Sequence, residues 1–234
     1  MELWLFLLRW IHFLAGITWI GLLYYFNFVQ TPFFAETDPA VRSGAIQKLV
    51  PRALWWFRWG AMGTFLAGIL MYIHKLSELG GAVFYTSTYG LAITAGGLLG
   101  TIMFLNVWLV IWPNQKVVIA SAVQVAQGGQ PIADAAARGR RAALTSRTNV
   151  VFSIPMLFFM GAASHYPSLI GQTSGGAAAG LIIIILLIAG AVEANALVGT
   201  QGPTKKPLDS VSETLWAGFI LAAVLDVLFL LFRG

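Results

Sequence analysis

Runs of about 20 mostly apolar residues recur along the chain, separated by short polar or basic segments. A hydrocarbon core of roughly 30 Å is crossed by about that many helical residues, so each run predicts a transmembrane helix. The runs are Leu3 to Val29, Leu54 to His74, Gly90 to Trp112, Val150 to Ser168, Gly176 to Val198 and Glu213 to Phe232. The expected fold is all-α: one polytopic membrane helix bundle of about six spans over residues 1–234. The fourth run is the weakest, because polar Ser146, Arg147 and Asn149 crowd its start. Residues 113–147 are expected as a cytoplasmic helical connection. There Val118, Ala122 and Val125, at i, i+4 and i+7, predict an interfacial amphipathic helix, broken by Gly128, Gly129 and Pro131 before an Ala- and Arg-rich helix enters the fourth span. Gln201 to Asp209 reads as a polar turn, and no internal repeat is evident. The first run opens with Glu2 and lacks a small-residue cleavage site, so it is expected to be a retained span, not a signal peptide.

Composition agrees with this reading. The chain is 58% hydrophobic and 10% charged, with mean hydropathy +0.79, which excludes an ordinary soluble domain. Charge then orients the bundle. Arg42, Lys48, Arg52, Lys116, Arg138, Arg140, Arg141, Arg147, Lys205 and Lys206 lie in the connections 1–2, 3–4 and 5–6, whereas the other two connections hold Lys75 alone. Basic loops stay in the cytoplasm, which predicts both termini outside. The net charge of +5 is then cytoplasmic flanks meeting anionic lipid, not a nucleic-acid surface. With no cysteine, disulfides, thiolate metal sites, iron–sulfur clusters and covalent c-type haem are excluded from this chain.

Small residues at helix-packing spacing, Gly60, Gly63 and Ala67, Gly96 and Gly100, and Gly176 and Gly180, predict close helix contacts. Pro155 is expected to kink the fourth span. Three histidines, His12, His74 and His165, all fall toward the outer side of the threaded chain. An imidazole inside a span needs a partner, and axial ligation of haem b, with these three as candidate iron ligands, is one such role. Ordinary hydrogen bonding is the other. Asp226 and Glu193 are carboxyls within spans; a structural pair of Asp226 with Arg233 or a histidine N–H stands beside a proton-relay role. On the inner side Trp55, Trp56, Arg58 and Trp59 open span 2, Asn106, Trp108, Trp112, Asn114, Gln115 and Lys116 close span 3, and Arg147 and Asn149 open span 4. A membrane-interface belt of aromatic and basic residues accounts for them equally well. As a site, they would form a basic, amide-rich pocket for a flat anion or a quinone.

Four stretches, HFLAGITWIGLLYYFNFVQ (His12 to Gln30), FRWGAMGTFLAG (Phe57 to Gly68), NVWLVIWPNQKVVI (Asn106 to Ile119) and SRTNVVFSIPMLFFMGAASHYP (Ser146 to Pro167), resemble the membrane domain of the bacterial membrane-bound urate oxidase family. The resemblance implies a plasma-membrane redox protein of purine catabolism that oxidises urate and passes electrons to a cytochrome c. In that family a C-terminal cytochrome c domain follows; here the sequence reaches Gly234 with no cysteine for a c-type haem, so a separate cytochrome or respiratory complex is the expected partner. The histidine followed by WIG in the first span is also similar to haem b proteins of the protoporphyrinogen oxidase and copper-resistance type, and points to His12. With urate as substrate, Arg58, Lys116 and Arg147 would balance its charge, Asn114, Gln115 and Asn149 would read its polar edge, and Trp112 would stack. The rival readings are a non-catalytic anchoring or electron-transfer subunit, a porphyrinogen oxidase and an anion transporter; the last is disfavoured by the missing inverted repeat.

Overall fold

In hydrocarbon every backbone N–H and C=O must find its partner within its own segment, so long apolar runs fold as helices. The computed structural model describes residues 2–166, 169 and 171–232. Its first rod joins α1 (Glu2–Tyr24), a π-helical turn π1 (Tyr25–Gln30) and α2 (Thr31–Glu36). After the short α3 (Pro39–Lys48) comes α4 (Val50–Leu79), 30 residues long. The short α5 (Gly81–Thr86) leads to a second composite rod of α6 (Thr88–Leu105), π2 (Asn106–Ile111) and α7 (Trp112–Ala126). Then follow α8 (Ala135–His165), α9 (Gly175–Leu197), a 3-10 turn (Pro203–Leu208) and α10 (Val211–Leu231).

Among the described residues five rods are long and apolar enough to cross a membrane: Glu2–Glu36, Thr88–Ala126, Ala135–His165, Gly175–Leu197 and Val211–Leu231. The chain is thus a multi-pass membrane helical bundle. The sixth expected span lies within α4, which has the length but is diluted by Arg52, Arg58, His74, Lys75 and Glu78. It runs antiparallel along α1. Phe26 meets Phe57 edge-on, Gly60 takes the backbone of Trp19, and His12 reaches Thr64 and Gly68. A Cβ at Gly60 would stand 3.1 Å from Trp19 N, so the expected glycine seam is what lets these two helices touch. Gly96 and Gly100 likewise admit Met156 of α8, and Gly180 admits Phe232; Gly176 meets nothing within 4 Å, so that expected pair is half realised.

Two boundaries differ from the sequence expectation. The amphipathic stretch around Val118 is no separate helix but the direct continuation of the third span through π2. Likewise the first span runs on to Glu36. Each π turn is followed at once by a helix with proline in its first two positions, Pro32 and Pro113. Proline lacks an N–H and its ring collides with the carbonyl four residues back; a wide turn just before it opens that spacing, and the helix continues. Side chains collect carbonyls in these turns: Thr31 Oγ1 donates to Phe26 O at 2.7 Å and Asn114 Nδ2 to Val110 O at 2.7 Å. Pro155 sits inside α8 without ending it. Four residues back, the carbonyl of Val151 faces Gly218 of α10.

The fourth span, expected to be the weakest, is the hub. Two thirds of its most apolar window is buried, 67%, because α6, α7, α9, α10 and π2 all pack on it. Its polar residues face protein, not lipid: Asn149 and Thr145 are 0% exposed and Arg147 is 5% exposed. The expected end of that span at Ser168 lies outside the described residues, as does Arg233, the suggested partner of Asp226.

Candidate functional site

The tryptophans and bases of the basic end form one cluster across the α4 and π2–α7 seam. The Arg58 guanidinium carbon lies 3.8 Å from the Trp112 ring centroid and 5.9 Å from that of Trp108. Lys116 Nζ lies 5.6 Å from the Trp112 ring. Trp59 packs edge-on against Trp108 at 5.5 Å and Trp55 adjoins both Trp56 and Trp59. Trp108, Trp112 and Lys116 follow one another at every fourth position, which puts them on one stripe facing α4. Arg58 Nε and Trp108 Nε1 are buried with no hydrogen-bond partner among the described residues. Unsatisfied buried donors are uncommon in folded proteins and mark a place where water or a ligand is due. Indole rings beside two cations suit a flat anion.

Not every expected member joins this cluster. Asn114 turns its amide back to its own helix, and Gln115 is half-buried beside it. Arg147 and Asn149 belong to a second network centred on α8. Asn106 is 3% exposed; its Nδ2 donates to Asn149 Oδ1 at 2.9 Å and to Glu193 Oε2 of α9 at 2.9 Å. Asn149 Nδ2 in turn donates to the Met103 carbonyl at 3.0 Å. Glu193 Oε1 and Arg147 Nη1 are buried without a hydrogen-bond partner among the described residues. From the other π turn Asn27 Nδ2 donates to Ser146 Oγ at 2.8 Å, and Tyr24 OH meets Ser153 Oγ at 2.9 Å. Thus each π turn delivers a buried asparagine to α8, a repeated device absent from the sequence reading. At the basic rim Arg140 pairs with Asp209 and also donates to Thr200 O, while Arg141 donates to Ala196 O, clasping the α9–α10 connection to α8.

At the opposite end His12 is half-buried, its Nδ1 2.8 Å from the Thr64 carbonyl. A carbonyl can only accept, so Nδ1 carries the proton and Nε2 is left with its lone pair. That is the tautomer in which imidazole binds a metal, with the other ring nitrogen held by a backbone carbonyl. Gly68 leaves room for the ring: a Cβ there would be 3.1 Å from His12 Cε1. His74 and His165 lie toward the same end, half-buried and exposed respectively. His74 is about 12 Å farther along α4 than the turn that faces His12, at 1.5 Å per residue. His165 is as many residues beyond Ser153 as His12 is before Tyr24, so it shares the depth of His12 on the antiparallel α8. Among the described residues no group of three His, Cys, Asp or Glu could hold a free metal ion.

The residues that sequence reasoning did not assemble are Asn27, Asn106 and Glu193. Their signal was a strongly polar side chain in the middle of an apolar run; what the sequence lacks is the partner, 119 residues away for Asn27 and 87 for Asn106 with Glu193. A family model described as urate oxidase N-terminal matches residues 79–227, from the end of α4 to the last turns of α10. The chain belongs to the urate oxidase N-terminal family. No curated protein and no solved structure matches it. The family match takes in π2, α7 and the Asn106–Asn149–Glu193 bonds on α8, and with them Trp108, Trp112 and Lys116. Arg58 and His12 come from the preceding helices, α1 and α4, which complete the ring cluster and the histidine end.

Proposed function

We propose that this protein is a membrane redox protein of the bacterial plasma membrane that oxidises urate, or a similar flat anionic donor, and passes the electrons to a cytochrome c or respiratory partner. The observation that carries the reading is the Arg58 guanidinium stacked at 3.8 Å on Trp112 with Lys116 beside it, in a chain of the urate oxidase N-terminal family. The Arg58 Nε is buried and unpartnered, a charged donor whose hydrogen bond a ring oxygen or anionic nitrogen would complete. Lys116 adds a second positive charge, and the Trp59 and Trp108 rings, packed edge-on, adjoin the cluster on the α4 side.

His12 fits a haem b ligand, since Thr64 fixes its Nδ1–H and leaves Nε2 free to coordinate. His165, at matching depth on α8, is the better second candidate than His74. A haem bound there would supply a one-electron acceptor between the donor and the outer partner. The test uses the detergent-purified chain. A reduced-minus-oxidised spectrum should show a b-type signal that His12→Ala removes while the protein stays folded, and urate should quench tryptophan fluorescence in both. Folded protein with no haem and no urate response would leave an anchoring subunit as the better account.

A further inference from the structure

The turn π2 is a one-residue expansion of a helical rod, and everything beyond it takes its angular position from that extra residue. Each helical residue advances about 100°, so closing π2 into ordinary α-helix would swing Trp112 and Lys116 by about that angle relative to α6, away from Arg58. π turns are rare, occur mostly as single-turn bulges inside α-helices, and are frequent at functional sites. Pro113 favours the wide turn from one side. From the other side its first residue, Asn106, spends both amide hydrogens on Asn149 and Glu193. Glu193 is the only charged side chain of Gly175–Leu197, and none of the ion pairs among the described residues includes it. A carboxyl within an apolar span is expensive to keep, and the hydrogen bond it makes is to Asn106.

We propose that Glu193 is a positioning residue for the ring cluster: by accepting from Asn106 it holds π2 open and thereby sets Trp108, Trp112 and Lys116 against Arg58. The proposal rests on reading that cluster as the donor site, but its structural half can be measured without any donor. The variants are Glu193→Gln, which keeps an accepting oxygen, Glu193→Leu, which fills the same space without one, and Asn106→Asp, which puts an acceptor opposite an acceptor. The 234-residue chain in detergent is examined by near-ultraviolet circular dichroism, which reads the packing of the tryptophans, and by fluorescence titration with urate. E193Q should keep the wild-type tryptophan signal and bind urate within about twofold of wild type. E193L and N106D should both lose that signal and bind urate at least tenfold more weakly. If E193L does not fold, N106D carries the same comparison. Equal losses in E193Q and E193L, or an unchanged tryptophan signal in E193L or N106D, would overturn the positioning role. Wild-type protein that ignores urate but whose tryptophan signal follows the variants as stated would sink the donor assignment and leave Glu193 as the lock of π2.

Discussion

A cation stacked on a ring depends on shape as much as on charge. The Arg58 guanidinium carbon lies over the Trp112 ring at 3.8 Å; lysine carries the same charge but no planar fork, and cannot both lie over a ring and offer a donor edge. Arg58→Lys should therefore weaken urate binding by about tenfold, roughly 1.4 kcal/mol, with little change in melting temperature because the site is at the seam's edge. Fluorescence titration beside a thermal melt separates the two effects, and a loss of affinity matched by a loss of fold would argue for a structural role. Such residues are legible in sequence because a guanidinium or imidazole in an apolar run announces itself: Arg58, Lys116 and His12 were all marked in this way. Their partners were not, since Thr64 contributes only its backbone carbonyl to His12, and any residue could have done so. Nor could the sequence separate Asn149 from Asn114, two amides near the same rim. One is buried and bonded across helices, and the other bonds back within its own helix.

Elements hold the same lesson in their boundaries. Pro113 reads as the end of the third span, yet the helix continues from Thr88 to Ala126. The wide turn before proline removes the reason for stopping. Two forces then favour that turn, the proline ring and the Asn106 bonds, and the ring can be removed alone. Pro113→Ala restores an N–H and lifts the clash, which for proline inside a helix amounts to about 3 kcal/mol. This shifts the balance toward α-helix against the Asn106 bonds. Urate affinity is expected to fall several-fold and the near-ultraviolet signal to change. Pro32→Ala, behind π1, should leave both as they are, since Asn27 and Ser146 do not touch the ring cluster. Equal effects from the two substitutions would mean that π2 has no special part in placing Trp112. The polar start of α8 misled for a related reason. Hydropathy counts residues without knowing which face lipid, and a helix surrounded by the rest of the bundle can carry Arg147, Thr148 and Asn149 because protein, not the bilayer, lies against them.

For the whole molecule the open quantity is how many times it crosses and which way it points. Five rods qualify by length and composition, and α4 enters as a sixth by lying antiparallel along α1 from Phe57 to Gly68. Basic loops then put Ala40 and Gln130 on the cytoplasmic side and Ser77 and Gln172 outside, and all four are exposed. Because the chain has no cysteine, a single cysteine at each position reports its own side with a membrane-impermeant maleimide applied to intact cells. Ser77→Cys and Gln172→Cys should label from outside, and Ala40→Cys and Gln130→Cys only after the membrane is opened. If α4 did not cross, Ala40 and Ser77 would label from the same side. If the bundle were inverted, all four results would exchange. The second outcome would reach beyond topology: it would put the Arg58–Trp112 cluster on the outer face and His12 near the cytoplasm, reversing the direction in which electrons are proposed to leave. The same four cysteines therefore decide both the sixth crossing and the polarity on which the redox reading depends.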